Sequence, residues 1–311
     1  MPLAIVHHPQ YQAPLRPDHR FPMSKYGYLR EALIARGLLA PGGYVAPGPA
    51  SAAMLSLAHD PDYVSRAFAL TLTDREMKRI GLPKTERVIL RARLAAAGSA
   101  LAGRIALTQG VACNTAGGSH HAGPEHGAGF STFNDVAVAI RALQKAGLIG
   151  RALVVDCDVH QGDGTAKIFA DDPSVFTFSI HCGKNYPFTK AISDLDVALE
   201  DGTEDAPYLT ALEAGLETAL AAGRYDLAYY NAGVDVHRLD RLGRLALSDE
   251  GIRARDRLVL GRLRAAGLPV ATAIGGGYDD DPERLATRHA IVFEEAARLV
   301  APAAAGEAAA S

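Results

Sequence analysis

The sequence of 311 residues predicts an α/β fold, a single domain with an open, mostly parallel β-sheet flanked by helices. Three observations predict it: short apolar runs without polar alternation, longer segments with helical spacing between them, and polar, glycine-rich sequence after each run. No long linker divides the chain. We therefore expect one domain over residues 1–300, followed by a disordered tail over 301–311, where the sequence is low in complexity.

The elements follow from these patterns in chain order. Helical spacing predicts two helices first, over 25–36 and 86–107. An alternation of strands rich in Val, Ile, Tyr and Phe with further helices comes next, and Ser248 is the expected N-cap of one of them. The predicted strands are 153–160, 175–181, 227–235 and 270–278, and the predicted helices are 134–146, 207–222, 248–266 and 282–300.

Composition excludes several classes of protein. The chain has 32 Lys and Arg against 35 Asp and Glu, a net charge of −3, so there is no global basic field for stable binding to nucleic acid or an anionic membrane. No segment reaches the roughly 18 consecutive apolar residues that a membrane helix needs. Cys113, Cys157 and Cys182 are widely spaced and form no CxxC pair, which is typical of a reducing compartment. A cytoplasmic location is expected.

The segment 156-DCDVHQGDG-164 has the most informative spacing. Side chains alternate along a strand, so Asp156, Asp158 and His160 are expected on one face. Two carboxylates and an imidazole at a buried strand end are costly unless a cation or hydrogen bonds compensate them. A metal site is one interpretation and an ordinary polar strand end is the other, and the spacing alone does not decide between them.

Asp235 favours the metal interpretation, because it closes another strand of buried type, 227-LAYYNAGVD-235. With Asp158 and His160 it would supply three ligands of mixed N/O type and leave positions open for water and substrate, as catalytic zinc sites do. The alternative is that Asp235 only caps the next segment. Convergence of two such strand ends favours a site.

Two adjacent histidines, His120 and His121, lie in the glycine-rich loop 117-GGSHHAGPEHGAGF-130. The pair is compatible with a metal site, a general acid–base pair or a solvated loop. Asp156 and Asp163 are the natural carboxylate partners for them. An imidazole held by a carboxylate has its tautomer fixed and its basicity raised, which suits a general base near neutral pH.

The segment 275-GGGYDDD-281 places three glycines before a tyrosine at a strand end. Glycines allow close approach of the backbone, and the phenol of Tyr278 can donate a hydrogen bond to a developing oxyanion. A phosphate-binding loop is the competing interpretation. It is weaker, because no Lys, Ser or Thr follows in the phosphate-loop pattern and three aspartates would repel phosphate.

Four motifs together resemble the zinc-dependent histone deacetylase family, which has an arginase/deacetylase-like α/β fold. They are GGSHHAGPEHGAGFSTFND, VVDCDVHQGDGTAKIF, YYNAGVDVHRLDRLGRLALSDEGI and GGGY, in the family's order and spacing. The resemblance covers about residues 5–300. The details DVHQGDG, NAGVD, DRLG and RFPMSKY are most similar to the class IV branch and its bacterial relatives.

The resemblance implies a role for each matching residue. His121 would be the general base, His120 its electrostatic partner, and Tyr278 the oxyanion donor. Asp163 and Asp156 would orient His121 and His120 respectively. The implied zinc ligands, one ion per chain, are Asp158, His160 and Asp235. Gly129 and Phe130 would line the acyl-lysine tunnel, with Tyr186 on the opposite wall. The full set of residues implied to bind the substrate is Gly129, Phe130, Tyr186, Gly276 and Gly277.

Two further expectations come from the resemblance. A structural potassium ion would lie among the Asp156 and Asp158 side chains, the His160 and Ile180 carbonyls, and Ser179. Many relatives have an arginine on the first helix, in the pocket beneath the zinc, and Lys25 stands in its place here.

The implied function is hydrolysis of the amide of an acylated amine, with an acyl-lysine side chain of a protein as the expected substrate. A small amide such as an acetylpolyamine is an alternative, since bacterial relatives include polyamine deacetylases. Ureohydrolase chemistry needs two metals, and Gly162 stands where arginase-like motifs supply another carboxylate. A non-catalytic acyl-lysine-binding protein would not need His120, His121 and Tyr278 together.

Overall fold

The computed structural model describes residues 2–300, and in this range it contains seven strands, ten α-helices and one short 3₁₀ helix, Pro9–Tyr11. The strands are β1 (Ala4–Val6), β2 (Val111–Asn114), β3 (Ala152–Asp156), β4 (Val175–Cys182), β5 (Leu195–Leu199), β6 (Leu227–Asn231) and β7 (Val270–Ala273). The helices are α1 (Lys25–Ala35), α2 (Ala52–Leu55), α3 (Pro61–Phe68), α4 (Asp74–Ile80), α5 (Glu86–Gln109), α6 (Asp135–Lys145), α7 (Asp163–Ile168), α8 (Asp205–Ala221), α9 (Asp249–Ala265) and α10 (Pro282–Val300). The predicted tail, 301–311, lies outside the described residues.

All seven strands form one sheet in the order β1-β2-β7-β6-β3-β4-β5, and every neighbouring pair is parallel. The predicted α/β class is confirmed. Strands β2, β3, β6 and β7 are buried along their whole length, which explains their continuous apolar sequence. The carboxyl ends of all the strands lie on one edge of the sheet, where ligands bind in folds of this type.

Three of the four predicted strands end earlier than expected, and β3 ends already at Asp156. For β3 the reason is local hydrogen bonding by short carboxylates. Asp156 Oδ1 accepts from the backbone N–H of Asp158 at 3.1 Å, and Asp158 Oδ1 accepts from that of His160 at 3.0 Å. Each aspartate bonds the amide two residues on, which replaces the sheet ladder with tight turns. Asp158 and His160 therefore lie in a loop and not on the strand.

Strands β1, β2 and β5 are not apparent in the sequence. The first two have only three and four residues. Strand β5 alternates between exposed and partly buried residues because it forms one edge of the sheet. The longer helices lie within a few residues of their predicted ranges, and Ser248 caps α9 by accepting from the N–H of Gly251 at 3.0 Å. No helix within residues 2–300 is both long and apolar enough to span a bilayer.

His59, before α3, holds two segments near the carboxyl edge in place. Its Nδ1 lies 2.9 Å from the carbonyl oxygen of Gly123, and its Nε2 accepts from the N–H of Asn134 at 2.9 Å. The carbonyl can only accept, so the ring is the neutral Nδ1–H tautomer. Burial lowers the pKa of His59 to about 4.

Acid is therefore expected to destabilise the fold through His59. A pKa near 6.5 in the unfolded chain and about 4 in the folded one means that stabilisation is complete above pH 6.5 and is lost as the pH falls toward 4. Between about pH 7 and about pH 5, wild type should lose about 2 kcal/mol more of its free energy of unfolding than His59→Gln. Urea unfolding at the two pH values measures this. Equal losses in both proteins would show that His59 does not contribute.

Candidate active site

The loops that follow β2, β3, β6 and β7 meet at the carboxyl edge of the sheet. These strands are neighbours in the sheet, although they are far apart in the chain. Each loop carries one of the motifs identified in the sequence. The fold therefore brings the histidine pair, the 156–164 segment, Asp235 and the GGGY segment to one place.

Asp158, His160 and Asp235 form the candidate metal centre. One ligand atom from each lies within 4.8 Å of the others, and all three residues are buried. His160 Nδ1 is 3.0 Å from Asp158 Oδ1 and 3.2 Å from Asp235 Oδ2. Burial and the neighbouring Asp158 carboxylate raise the pKa of Asp235, although the adjacent His160 ring opposes this shift. Two carboxylates and an imidazole converging in this way fit zinc, which takes such N/O donors.

The two histidines of the glycine-rich loop are each held by a different carboxylate. His120 Nδ1 is 2.7 Å from Asp156 Oδ2, and His121 Nδ1 is 2.8 Å from Asp163 Oδ1. The ring centroids are 4.2 Å apart. An ionised carboxylate only accepts, so Nδ1 is the donor in both rings and Nε2 is left available for other chemistry.

The environments of these two rings push their pKa values apart. Burial alone would lower the pKa of His120, but the Asp156 and Asp158 carboxylates outweigh it and raise this pKa to about 9. Burial, with the adjacent charge of His120, lowers the pKa of His121 to about 3. The Asp163 carboxylate therefore does not give this ring the raised basicity that the sequence predicts, because burial and the charge of His120 outweigh it. Two titratable groups separated in this way are typical of an acid–base pair.

Tyr278 stands beside the candidate metal centre, with its ring centroid 6.4 Å from that of His160. Its backbone is anchored on both sides: its N–H donates to Asp240 Oδ2 at 2.7 Å, and its carbonyl accepts from the N–H of Arg241 at 3.0 Å. Burial and nearby carboxylates raise the pKa of Tyr278 well above its usual value. The phenol is therefore protonated and can donate.

A cavity of about 550 Å³ opens above the candidate metal centre. Gly129, Phe130 and Tyr186 line it, and the Tyr186 ring lies 4.9 Å from that of His121. Gly276 lines a smaller inner cavity and donates its N–H to Asp158 Oδ2 at 2.7 Å. Gly277 lines neither cavity: a Cβ at this position would meet Val234, His289 and Leu285.

Of the residues expected to hold a potassium ion, Asp156 ends β3, Ser179 and Ile180 lie on β4, and Asp158 and His160 lie in the loop after β3. Asp156 of β3 and Ser179 of β4 are register partners, and Ile180 follows Ser179 directly. Ser179 Oγ is also 3.0 Å from His181 Nδ1.

Lys25 occupies the interior of the protein beside the candidate site. It is 1% exposed, and its Nζ donates to the carbonyl of Gly275 at 3.0 Å. The Nζ also lies 5.5–5.9 Å from the ring centroids of Phe21, Tyr26 and Tyr278. Burial lowers the pKa of Lys25 to about 8.

Three supporting residues are not predicted from the sequence. Asp240 anchors the Tyr278 backbone, and Arg91 lines the inner cavity and bonds the Tyr26 hydroxyl. Arg255 is fully buried, and its Nη1 donates to the carbonyls of Cys157, at 3.3 Å, and Gly233.

The signal for Arg255 was present in the sequence. Ile252, Arg255, Asp256 and Val259 follow helical spacing on one face of α9, and that face is buried. A charged pair on a buried face is costly unless it bonds internal groups, and Arg255 Nε donates to Asp256 Oδ1 at 2.9 Å. By donating hydrogen bonds to the Cys157 and Gly233 carbonyls, Arg255 stabilises the loops that contain Asp158 and Asp235.

Gly129 is expected to be required for the position of His121. It has a φ of +51°, and a Cβ there would collide with the His121 ring. Gly129→Ala should lower kcat/KM about tenfold to a hundredfold, because a small displacement of a reacting group has effects of that size. Gly147→Ala is the matched control: Gly147 has a φ of +67° and no atom within 4 Å of a Cβ. Equal activity of both variants would exclude this role.

Comparisons with known proteins agree with the geometry. The model of the histone deacetylase domain matches residues 19–294. An uncharacterized protein of Picosynechococcus sp. (strain ATCC 27264 / PCC 7002 / PR-6) is 47% identical over 296 residues, covering 95% of this chain and 99% of that protein. Histone deacetylase 2 of Arabidopsis thaliana is 30% identical over 269 residues, covering 84% of this chain and 70% of that protein.

A solved structure supports the same fold. The crystal structure of a histone deacetylase homolog from Aquifex aeolicus matches with a TM-score of 0.80 and 23% identity, over 96% of this chain and 84% of that one. The family model spans most of the sequence and includes the loops that follow β2, β3, β6 and β7. The chain therefore belongs to the histone deacetylase family.

Proposed function

We propose that this chain is a zinc-dependent lysine deacylase, which hydrolyses the side-chain amide of acyl-lysine in proteins. Family membership supports deacetylase activity in general. The proposal of a lysine deacylase rests on one observation: the candidate metal centre, the two carboxylate-held histidines and Tyr278 all lie at one cavity. We assign residues 1–300 to a single catalytic domain.

In the proposed mechanism, Asp158, His160 and Asp235 would hold the zinc ion. Zinc bound there would supply Lewis-acid polarisation of the amide carbonyl and lower the pKa of a water molecule. The Gly276 N–H donates to Asp158 Oδ2, and Arg255 donates to the carbonyls of Cys157 and Gly233, so both hold the ligand loops in place.

The remaining steps belong to side chains of this chain. His121 is neutral, and its Nε2 accepts the proton of the attacking water while Asp163 holds Nδ1–H. His120, held by Asp156, carries positive charge beside His121. A protonated histidine of the pair then donates a proton to the leaving amine. The Tyr278 phenol donates a hydrogen bond to the oxyanion that develops on the substrate.

Substrate positioning is assigned to the walls of the cavity. Gly129, Phe130 and Tyr186 would enclose the alkyl chain of the acylated lysine, and the backbone of Gly276 would line the inner cavity on the Tyr278 side. A structural potassium ion would be held by Asp156, Asp158 and Ser179 with the carbonyls of His160 and Ile180. It would stabilise the ends of β3 and β4 beneath the metal ligands.

Two alternative functions are less well supported. Ureohydrolase chemistry needs a further carboxylate near Gly162, but a Cβ there would lie 2.5 Å from Asp156 Oδ2. A binding protein without catalysis has no use for two histidines whose pKa values are separated in opposite directions. Hydrolysis of small acylated amines would use the same catalytic residues. The charges at the cavity mouth affect which of the two kinds of substrate binds there.

The proposal is tested by a turnover screen. The zinc-loaded full chain is incubated with acetyl-lysine peptide, long-acyl-lysine peptide and N-acetylspermidine, with and without a chelator, and the released acid is measured. We expect acid release from at least one acyl-lysine peptide, loss of release with chelator, and recovery when zinc is restored. Binding of the peptides without release of acid would contradict the proposed function.

A further inference from the structure

The mouth of the 550 Å³ cavity is strongly basic. Its lining contains no carboxylate among the described residues, but five cationic side chains from four separate segments of the chain reach it. They are Arg20, Arg79, Lys184, Arg241 and Arg244, and all five are exposed residues. We call this set the basic rim. Its charge contrasts with the net charge of −3 of the whole chain.

Part of the charge of the basic rim is balanced by acids outside the cavity lining. The ion pairs are Lys184–Glu200 and Arg244–Asp201, each at 3.3 Å, and Arg241–Asp280. Within residues 2–300, Arg20 and Arg79 form no ion pair, so they are free to interact with a substrate. These are exposed charges, so their effect is modest and sensitive to salt.

The rim lies where the part of the substrate next to the acylated amine must pass. His121, His160 and Tyr278 form the floor of this cavity, and the rim side chains form its outer wall. A lysine in a basic segment, or an acetylpolyamine with its remaining protonated amines, would bring positive charge against Arg20 and Arg79. A lysine flanked by Asp or Glu would bring opposite charge, which increases the encounter rate and stabilises the complex.

Apolar side chains stand between the cations. Phe188 is 89% exposed and lines the cavity with Tyr186 and Leu242. An exposed aromatic residue at the rim of a cavity is a contact surface for the groups beside a reacting centre. The mouth therefore suits a peptide segment, which has a backbone and side chains to place there, better than a thin polycationic chain.

We propose that the basic rim selects acyl-lysines within acidic protein segments and disfavours acetylpolyamines and lysines in basic segments. This inference rests on the proposed deacylase function and adds the class of substrate. Arg20 and Arg79 are the specificity residues, because they carry the charge that no acid of the described chain balances.

Three acetyl-lysine peptides of equal length test the inference, with the lysine flanked by Glu, by Ser or by Lys, together with N-acetylspermidine. The kcat/KM of the zinc-loaded full chain is measured at about 0.01 M and about 1 M ionic strength, where the screening length is about 30 Å and about 3 Å. At low salt the acidic peptide should exceed the basic one by about tenfold, and high salt should remove the difference.

Two variants test whether the basic rim causes the preference for the acidic peptide. Arg79→Glu combined with Arg20→Glu should abolish or reverse the preference while the Ser-flanked peptide is still hydrolysed. Arg104→Glu, an exposed arginine of α5 that does not line the cavity, is the matched control and should keep the wild-type preference.

Failure of the substrate inference can be distinguished from failure of the proposed function. Equal turnover of the acidic and basic peptides, or faster turnover of the basic peptide or of N-acetylspermidine, overturns the substrate inference while deacylase chemistry stands. If neither these compounds nor the long-acyl-lysine peptide is hydrolysed, the proposed function itself is overturned.

Discussion

Replacing His121 by alanine is expected to lower kcat by about 10²–10⁴, the range measured when a general acid–base group is removed. The reason is that His121 is the only one of the two paired imidazoles held neutral at physiological pH, its pKa lowered to about 3 by burial and by the charge of His120. It is not a candidate metal ligand. Zinc content should therefore stay at one ion per chain.

Added imidazole provides the decisive control for His121→Ala. The deleted ring leaves space between the Tyr186 and His160 rings, whose centroids lie 4.9 Å and 5.7 Å from that of His121. A free imidazole in that space should restore part of the turnover, with a dependence on the concentration of its neutral form. Full turnover of the variant without imidazole would remove His121 from the mechanism.

Replacing Tyr278 by phenylalanine is expected to lower kcat by about 10²–10³ with little change in KM, as for other oxyanion-hole donors. The Tyr278 backbone bonds to Asp240 and Arg241 do not involve the hydroxyl, so the loop should keep its position. The lost group is a single hydrogen-bond donor beside the candidate metal centre. Single-turnover kinetics on an acetyl-lysine peptide separate this loss from a change in binding.

Tyr225→Phe is the matched control for this variant. The Tyr225 hydroxyl is also buried, and it donates to the carbonyl of Ala219 at 2.9 Å, at the opposite edge of the sheet. This control should lose some stability and no activity. If Tyr278→Phe and Tyr225→Phe retain the same kcat, another group must stabilise the oxyanion.

The sequence predicted the fold class and the residues at the carboxyl edge because both follow from local patterns. Continuous apolar runs indicate buried parallel strands, and polar residues after them indicate the edge where ligands bind. The local backbone was less predictable. Asp158 and His160 were expected to share a strand face with Asp156, but turns closed by aspartate side chains bring them together instead. The alternation of side chains places residues on one face only as long as the backbone remains a β-strand.

The supporting groups depend on long-range packing. Asp240 reaches Tyr278, and Arg255 reaches the carbonyls of Cys157 and Gly233, across three different loops. The basic rim likewise gathers cations from four segments that share no motif. Only the folded chain shows these contacts, since the sequence alone gives no distance between its segments. Arg255 is the exception, because its position on an apolar helix face was a usable signal.

The most direct test of the single-metal mechanism is a titration of the metal-free chain with zinc while hydrolysis of an acetyl-lysine peptide is followed. Asp158, His160 and Asp235 provide one cluster of ligands, so the rate should rise linearly and reach its plateau at one zinc ion per chain. A plateau only at two ions per chain, or no hydrolysis of either an acetyl-lysine or a long-acyl-lysine peptide at any ratio, would contradict the single-metal mechanism.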